Sequence, residues 1–230
     1  MQGKIITTGD GSHSIEVSGK NELYHSKFGA IRESKHVYIE AGLNPLLKTN
    51  PAIHIFEMGF GTGLNALLTL IEAEKHQQKI IYETIELSPL EASLIAALNY
   101  CKHLQRKDLQ GTFEQLHASE WGKEDCITPY FSFKKIKTDL MAYPLPDHIN
   151  LIYYDAFDPN AQPELWQEAI FKRLSDRLYR NGILTTYCSK GQVRRAMQNA
   201  GFIVEKLPGA PGKREMIRAI KMDNKETKPG

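Results

Sequence analysis

The sequence predicts an α/β fold, with a mainly parallel sheet, helices on both faces, an antiparallel final strand and an N-terminal β-hairpin extension. Three observations predict it. From residue 52 onward, short apolar runs alternate with helical segments, the rhythm of strand–crossover–strand units. The last two apolar runs are joined by a short loop without a helix, so they must pair antiparallel. The 230 residues are 41% hydrophobic and 24% charged, which suits one ordinary globular domain with trimmings.

Ile5 to Thr8 and Ser14 to Val17 flank Gly9-Asp10-Gly11-Ser12, a turn cluster between two β-prone runs. Glu33 to Ala41 reads as a helix stopped by Gly42 and Pro45. Ala52 to Met58 is the first strand of the main sheet and breaks at Gly59-Phe60-Gly61-Thr62-Gly63. A helix follows over Leu64 to Glu74. Ile80 to Glu86 is the second strand, and Ser88-Pro89 reads as a cap and first-turn proline for a helix over Leu90 to Tyr100. Residues 101–130 are mixed and are expected to form a helical insertion. Phe131 to Lys137 is the third strand, ending at Thr138-Asp139, and Ile149 to Tyr154 is the fourth, ending at Asp155. Pro163 to Leu178 is helical, Gly182 to Tyr187 is a strand and Ser189 to Ala200 a helix. Phe202 to Leu207 and Glu215 to Ile220 close the sheet. The organisation expected is an extension at 1–45, the main domain at 46–222 and a polar tail at 223–230.

In open α/β sheets, ligands bind beyond the carboxyl ends of the strands, where strand order reverses. Glu57, Glu86 and Asp155 stand at three of those ends and Asp139 follows a fourth. Gly59, Gly61 and Gly63 permit tight turning and close backbone approach to a ligand. Their Gly-x-Gly-x-Gly spacing differs from the dinucleotide fingerprint, which wants a glycine at Leu64. No Gly-Lys-Ser/Thr follows, so this is not a nucleotide hydrolase's phosphate loop.

An acid-led Gly-x-Gly-x-Gly resembles the first motif of the Rossmann-like class I S-adenosylmethionine-dependent methyltransferases. The resemblance implies S-adenosylmethionine as cofactor, with Glu86 on the ribose hydroxyls and Asp139 at the adenine amino group. A sulfonium cation without phosphates also suits a ring of carboxylates. A longer series narrows the family. It runs Tyr24-His25-Ser26, Glu33 to Tyr38, Gly59 to Asn65, Asp155-Ala156-Phe157-Asp158-Pro159 and Pro163-Glu164-Leu165-Trp166. It continues through Tyr187-Cys188-Ser189, Val193-Arg194-Arg195, Ala200-Gly201-Phe202 and Lys213 to Met216. Together these resemble the methyltransferase domain of the MnmC family over roughly residues 20 to 220. That resemblance implies methylation of the amine of 5-aminomethyl-2-thiouridine at the tRNA wobble position, giving 5-methylaminomethyl-2-thiouridine.

On that footing the cofactor contacts are expected from Glu57, Gly59, Phe60, Gly61, Thr62, Gly63, Asn65, Glu86, Asp139 and Asp155. Asp155 is the candidate to orient the amine and Asp158 the second, although Asp158 also reads as a turn residue ahead of Pro159. Substrate contacts are expected from Tyr24, Ser26, Glu33, Phe157, Trp166, Lys190, Arg194, Arg195, Lys213 and Arg214. Phe60, Phe157, Trp166 and Tyr187 can wall the cofactor or stack on a flipped uracil. Well-known members fuse this domain to a flavin-dependent oxidase, for which 230 residues leave no room, so a separate enzyme is expected to supply the aminomethyl substrate.

Charge is divided along the chain. Residues 1–171 hold 15 Lys and Arg against 22 Asp and Glu, and residues 172–221 hold 12 against 3. A basic C-terminal third points to an anionic partner, tRNA here. Cys101, Cys126 and Cys188 are odd in number and widely spaced, so no disulfide framework is expected, and no histidine spacing indicates a metal. No apolar stretch approaches bilayer length and no signal-like leader is visible. A soluble, cytoplasmic protein is expected. Two other readings share the fold. Asp155-x-x-Asp158-Pro159 resembles spermidine-synthase-like aminopropyltransferases, whose glycine-rich first loop this chain lacks, and the chain could instead be a non-catalytic RNA-binding scaffold.

Overall fold

The computed structural model describes residues 2–19 and 22–222; the tail expected at 223–230 lies outside them. Strands β1 (Gly3–Thr7) and β2 (His13–Val17) form the expected antiparallel hairpin. Helix α1 (Ala30–Ser34) runs directly into a nine-residue π-helix, Lys35–Leu43. Gly42, expected to stop the helix at Ala41, instead lies inside it. A Cβ there would be 3.2 Å from Thr185 Oγ1 and 3.3 Å from Leu151 Cδ1, so the glycine serves close packing on the sheet rather than termination.

Among the described residues the main sheet has eight strands: β3 (Ala52–Met58), β4 (Lys79–Glu86), β5 (Glu124–Thr128), β6 (Phe131–Lys137), β7 (Ile149–Tyr154), β8 (Leu178–Thr186), β9 (Phe202–Pro208) and β10 (Glu215–Lys221). Their spatial order is β5-β6-β4-β3-β7-β8-β10-β9. The inner five, β6 through β8, run parallel, and β10 is antiparallel to both β8 and β9. From β3 the chain winds outward to one edge, then returns to place β7 on the other side of β3. The switch point therefore lies between β3 and β7, at their carboxyl ends.

Helix α2 (Leu64–His76) crosses from β3 to β4. It buries Leu64, Leu67, Leu68 and Leu70, each contributing about 1.5–3 kcal/mol, and ends with Lys75 and His76 at its negative pole. The π-helix and α2 cover one face of the sheet with Ile53, Ile55, Tyr82 and Tyr153. Helices α6 (Glu168–Arg177) and α7 (Gly191–Asn199) cover the other, with Phe56, Ile152 and Tyr154. β7 is buried on both sides, as a central parallel strand should be.

Several elements differ from expectation. The helix assigned to Leu90–Tyr100 is two pieces, α3 (Ala92–Ala96) and α4 (Tyr100–His103). It breaks at Asn99, whose amide accepts from His13 N–H and donates to Gly11 O, both at 2.9 Å. The helical insertion contains α5 (Gln110–Ala118), but its last part is β5, paired antiparallel with β6. Pro163–Trp166 is a single 3-10 turn ahead of α6, β8 begins at Leu178, and Lys190 precedes α7 rather than lying in its first turn. No helix among the described residues is long and apolar enough to cross a membrane.

Candidate active site

The carboxyl ends of β3, β4, β6 and β7 open into a cavity of about 390 Å³. Its floor is the glycine loop. Gly59 N–H and Phe60 N–H both donate to Ile85 O at 3.1 Å, binding the loop to the end of β4. Gly59 has φ +95, and a Cβ there would lie 2.9 Å from the carbonyl oxygen of Asp155. Only glycine lets β3 and β7 approach so closely at the switch point. Gly61 has φ +49 and lies under the Tyr24 ring, which a Cβ would approach to 2.9 Å. Its N–H donates to Glu86 Oε2 at 2.9 Å, and Ser88 N–H donates to Glu86 Oε1 at 2.8 Å. Ser88 thus serves the Glu86 carboxylate instead of capping a helix.

Two histidines steady the loop. His25 Nε2 is hydrogen-bonded to Thr62 Oγ1 at 2.8 Å, and His117 Nε2 donates to Thr62 O at 3.1 Å. Burial pushes both imidazoles down to about 4, so both are neutral at neutral pH. His117 packs on Phe60 and blocks the space beside Gly63, the residue before α2. Neither histidine was expected in the site, because each acts through a contact distant in sequence.

At the opposite wall Asp155 follows β7. Its N–H donates to Met58 O at 3.1 Å, and Asn65 Nδ2 donates to its Oδ2 at 2.9 Å. The Tyr38 hydroxyl of the π-helix lies beside it. Burial raises the Asp155 carboxyl, hydrogen bonding opposes this, and the result is about 6. Trp166 Nε1 donates to Phe157 O and Tyr187 Oη to Ala156 O, both at 2.9 Å, so two aromatics hold the 155–158 turn by its carbonyls. Phe157 lines the cavity edge-on to Tyr24, with ring centroids 5.4 Å apart.

A family model for S-adenosyl-L-methionine-dependent methyltransferases matches residues 103–222. The chain belongs to this family. A curated relative from Azoarcus sp., a tRNA 5-methylaminomethyl-2-thiouridine biosynthesis bifunctional protein MnmC, is 29% identical over 214 residues; the match covers 86% of this chain and 32% of the relative. A protein of the same name from Pseudoalteromonas atlantica is 29% identical over 231 residues, covering 90% of this chain and 32% of its own. The methyltransferase thus spans about a third of the length of these relatives. The crystal structure of MNMC2 from Aquifex aeolicus superposes with TM-score 0.76 at 24% identity, over 96% of this chain and 70% of that one. Spermidine synthase from Thermotoga maritima superposes with TM-score 0.52 at 14% identity, over 91% and 68%. At such identities the likeness is one of fold.

The cavity fits the family's cofactor. Glu86 presents a carboxylate whose oxygens each accept only one backbone N–H, leaving acceptor capacity for a ribose diol. Leu87 and Met141, both 56% exposed, flank the mouth after Glu86 and Asp139, as a planar base would require. Sequence reading missed this pair, though each follows a strand-end acid within two residues. Asp139 lines the cavity and its Oδ1 accepts from Met141 N–H at 2.7 Å.

Glu57 does not line the cavity. Strand alternation turns it, with Ile53 and Ile55, beneath α2, where Tyr82 and Thr84 surround it and burial pushes its carboxyl up to about 8. It is therefore protonated at neutral pH and acts as a buried support under the loop. Trp166 is 4% exposed and serves the turn rather than a flipped base. Asp158 lines the cavity, but Lys190 Nζ is 2.5 Å away and Asn160 N–H donates to the same Oδ1. Burial would raise Asp158; Lys190 and that turn hold it below its ordinary value. Lys190 is accordingly an internal partner rather than a free cation. Ser26 N–H donates to Glu33 Oε2 at 2.7 Å, and Lys213 Nζ meets Glu33 Oε1 at 2.6 Å, so Lys213 faces inward. Arg195 and Arg214 are exposed and Arg194 is half-buried, all three outside the cavity lining.

Proposed function

We propose that this methyltransferase methylates the primary amine of 5-aminomethyl-2-thiouridine at the wobble position of tRNA, a separate enzyme having supplied the aminomethyl group. The observation that carries the reading is Asp155. It is a half-buried carboxylate at the switch point, poised near 6, in a cavity whose neighbouring acids Glu33 and Asp158 are ion-paired. Such a group suits an acceptor that must lose a proton. The MnmC relatives' names supply the acceptor, and the basic C-terminal third supports a nucleic-acid partner.

S-adenosylmethionine, when bound, supplies an electrophilic methyl group on a sulfonium centre. The glycine loop would give it backbone approach, Glu86 would hold the ribose hydroxyls and Asp139 would face the base. Asp155 orients the acceptor amine and takes its proton, so that the nitrogen lone pair is free for in-line attack. Aminopropyl transfer is not favoured, because Asp158, the second acid of that motif, is committed to Lys190 and its turn.

The direct test is mass spectrometry of tRNA nucleosides from a deletion strain. Accumulated 5-aminomethyl-type uridine is expected; an unchanged profile would remove the reading. Glu86→Ala is expected to weaken S-adenosylmethionine binding in isothermal titration by about 1.5–3 kcal/mol, the range for a hydrogen bond to a charged group. A loss below about 0.5 kcal/mol, a third of that range's lower end, would mean Glu86 does not hold the ribose.

The tRNA surface has its own test. Arg195→Ala/Arg214→Ala removes two exposed cations and leaves the cavity intact. The double variant is expected to bind S-adenosylmethionine as the wild type does and tRNA more weakly. Its slope of log K against log salt should be shallower by up to about one unit per lost phosphate contact. An unchanged slope would reduce the basic third to a solvated face.

A further inference from the structure

Lys213, expected among the substrate contacts, lies on the loop between β9 and β10. The structure turns it inward, and the loop is built to do so. His36 Nε2 donates to Pro208 O at 2.7 Å, and Lys213 N–H donates to Ala210 O at 2.8 Å. Gly212, at φ +85, lies so close to the Phe28 ring that a Cβ would be 2.0 Å from Cδ2. The N-terminal extension thus seats the hairpin tip and delivers the Lys213 ammonium to the cavity. There it stands 2.6 Å from Glu33 Oε1 and 3.9 Å from the centroid of the Tyr187 ring.

Two of the acids at this end are ion-paired. The extension contributes Glu33 and neutral His25, with the Tyr24 phenol; the π-helix contributes Tyr38. The turn after β7 contributes Asp155 and Asp158, and the end of β8 contributes Tyr187, Cys188 and Lys190. Glu33 is matched by Lys213 and Asp158 by Lys190. Among the described residues Asp155 forms no ion pair, although the Lys213 charge favours its ionised form, and Glu22, Glu86, Asp139 and Glu164 line the rest of the cavity. An alkylammonium beside several unmatched carboxylates would be held protonated, without the lone pair that attack needs.

We propose that Lys213 sets the ionisation of the acceptor amine: by cancelling Glu33 and placing a positive charge at the acceptor end, it lets the amine pass its proton to Asp155. Lys213 is then a positioning residue for charge, and the proposal rests on the amine-acceptor reading above. In the proton step the ammonium N–H bond breaks, the proton joins an Asp155 carboxylate oxygen and the electron pair stays on nitrogen.

The test uses a tRNA anticodon stem-loop carrying a ¹⁵N-labelled 5-aminomethyl-uridine, bound to the full chain with S-adenosylhomocysteine. The nitrogen chemical shift is followed against pH. In the wild type the bound amine is expected to titrate at lower pH than in the free stem-loop. Lys213→Met should raise the bound midpoint by about one unit or more, Lys213→Arg should keep it near wild type, and Glu33→Gln/Lys213→Met should bring it back down. Equal midpoints in wild type and Lys213→Met, at unchanged S-adenosylhomocysteine affinity, would overturn the proposal while leaving the amine acceptor standing. Failure of the wild type to bind the stem-loop at all would overturn the acceptor reading and this inference with it.

Discussion

Asp155→Asn is expected to slow methyl transfer by about 10²-fold or more, the scale of a lost general base, while S-adenosylmethionine affinity changes only a few-fold. The substitution keeps the side chain's size, and an amide oxygen can still accept from Asn65 Nδ2. What is lost is the ability to take a proton. The wild-type rate carries a second signature. With the carboxyl raised to about 6, the proton-accepting form dominates above that pH and disappears as pH falls through it. The wild-type rate should therefore decline on the acid side of about 6, and Asp155→Asn should lack that limb. A near-normal rate in single-turnover assays would assign the proton to water.

Gly61→Val is expected to abolish detectable cofactor binding. Its φ of +49 belongs to the left-handed region, where a β-branched residue is a severe outlier. Backbone strain alone is on the order of 1–3 kcal/mol, and the new side chain would collide with the Tyr24 ring. Relief by rotation of Gly61 would break its N–H bond to Glu86, so the loop and the proposed ribose acceptor fail together. Thermal unfolding should remain cooperative, since the loop lies above the core. Unchanged affinity in a folded variant would show that the cofactor is held elsewhere.

Much of this architecture is legible in the sequence because it is local. Apolar runs such as Ile149–Tyr154, six residues long and bounded by turn residues, read as buried strands, and the Gly59–Gly63 loop and the acids Glu86, Asp139 and Asp155 follow from strand ends. Glu57 was legible too: counting by twos from Ile53 and Ile55 sets it on the buried face, yet its place before the glycines suggested a ligand. β5 is harder to read, since Glu124–Thr128 is short and polar and gains its identity from pairing with β6. The π-helix is invisible in composition, because its register is set by packing of Val37, Tyr38 and Gly42 on the sheet. The inward turn of Lys213 depends on Phe28 and His36, far away in the sequence, and no window around the hairpin contains that information.

Among the described residues β10 is the last of ten strands along the chain, yet it lies between β8 and β9. Until it arrives, β8 is an open edge and β9 has no neighbour in the sheet. The β9–β10 hairpin must therefore form first and dock as a unit, or β9 must wait. The same docking seats the hairpin tip on the extension and joins residue 213 to residue 33, a contact whose long sequence separation slows folding. A nascent chain can thus complete its glycine loop and present Asp155 well before the acceptor end is closed. On this order of docking, the glycine loop can form before the Lys213–Glu33 contact closes its end of the pocket.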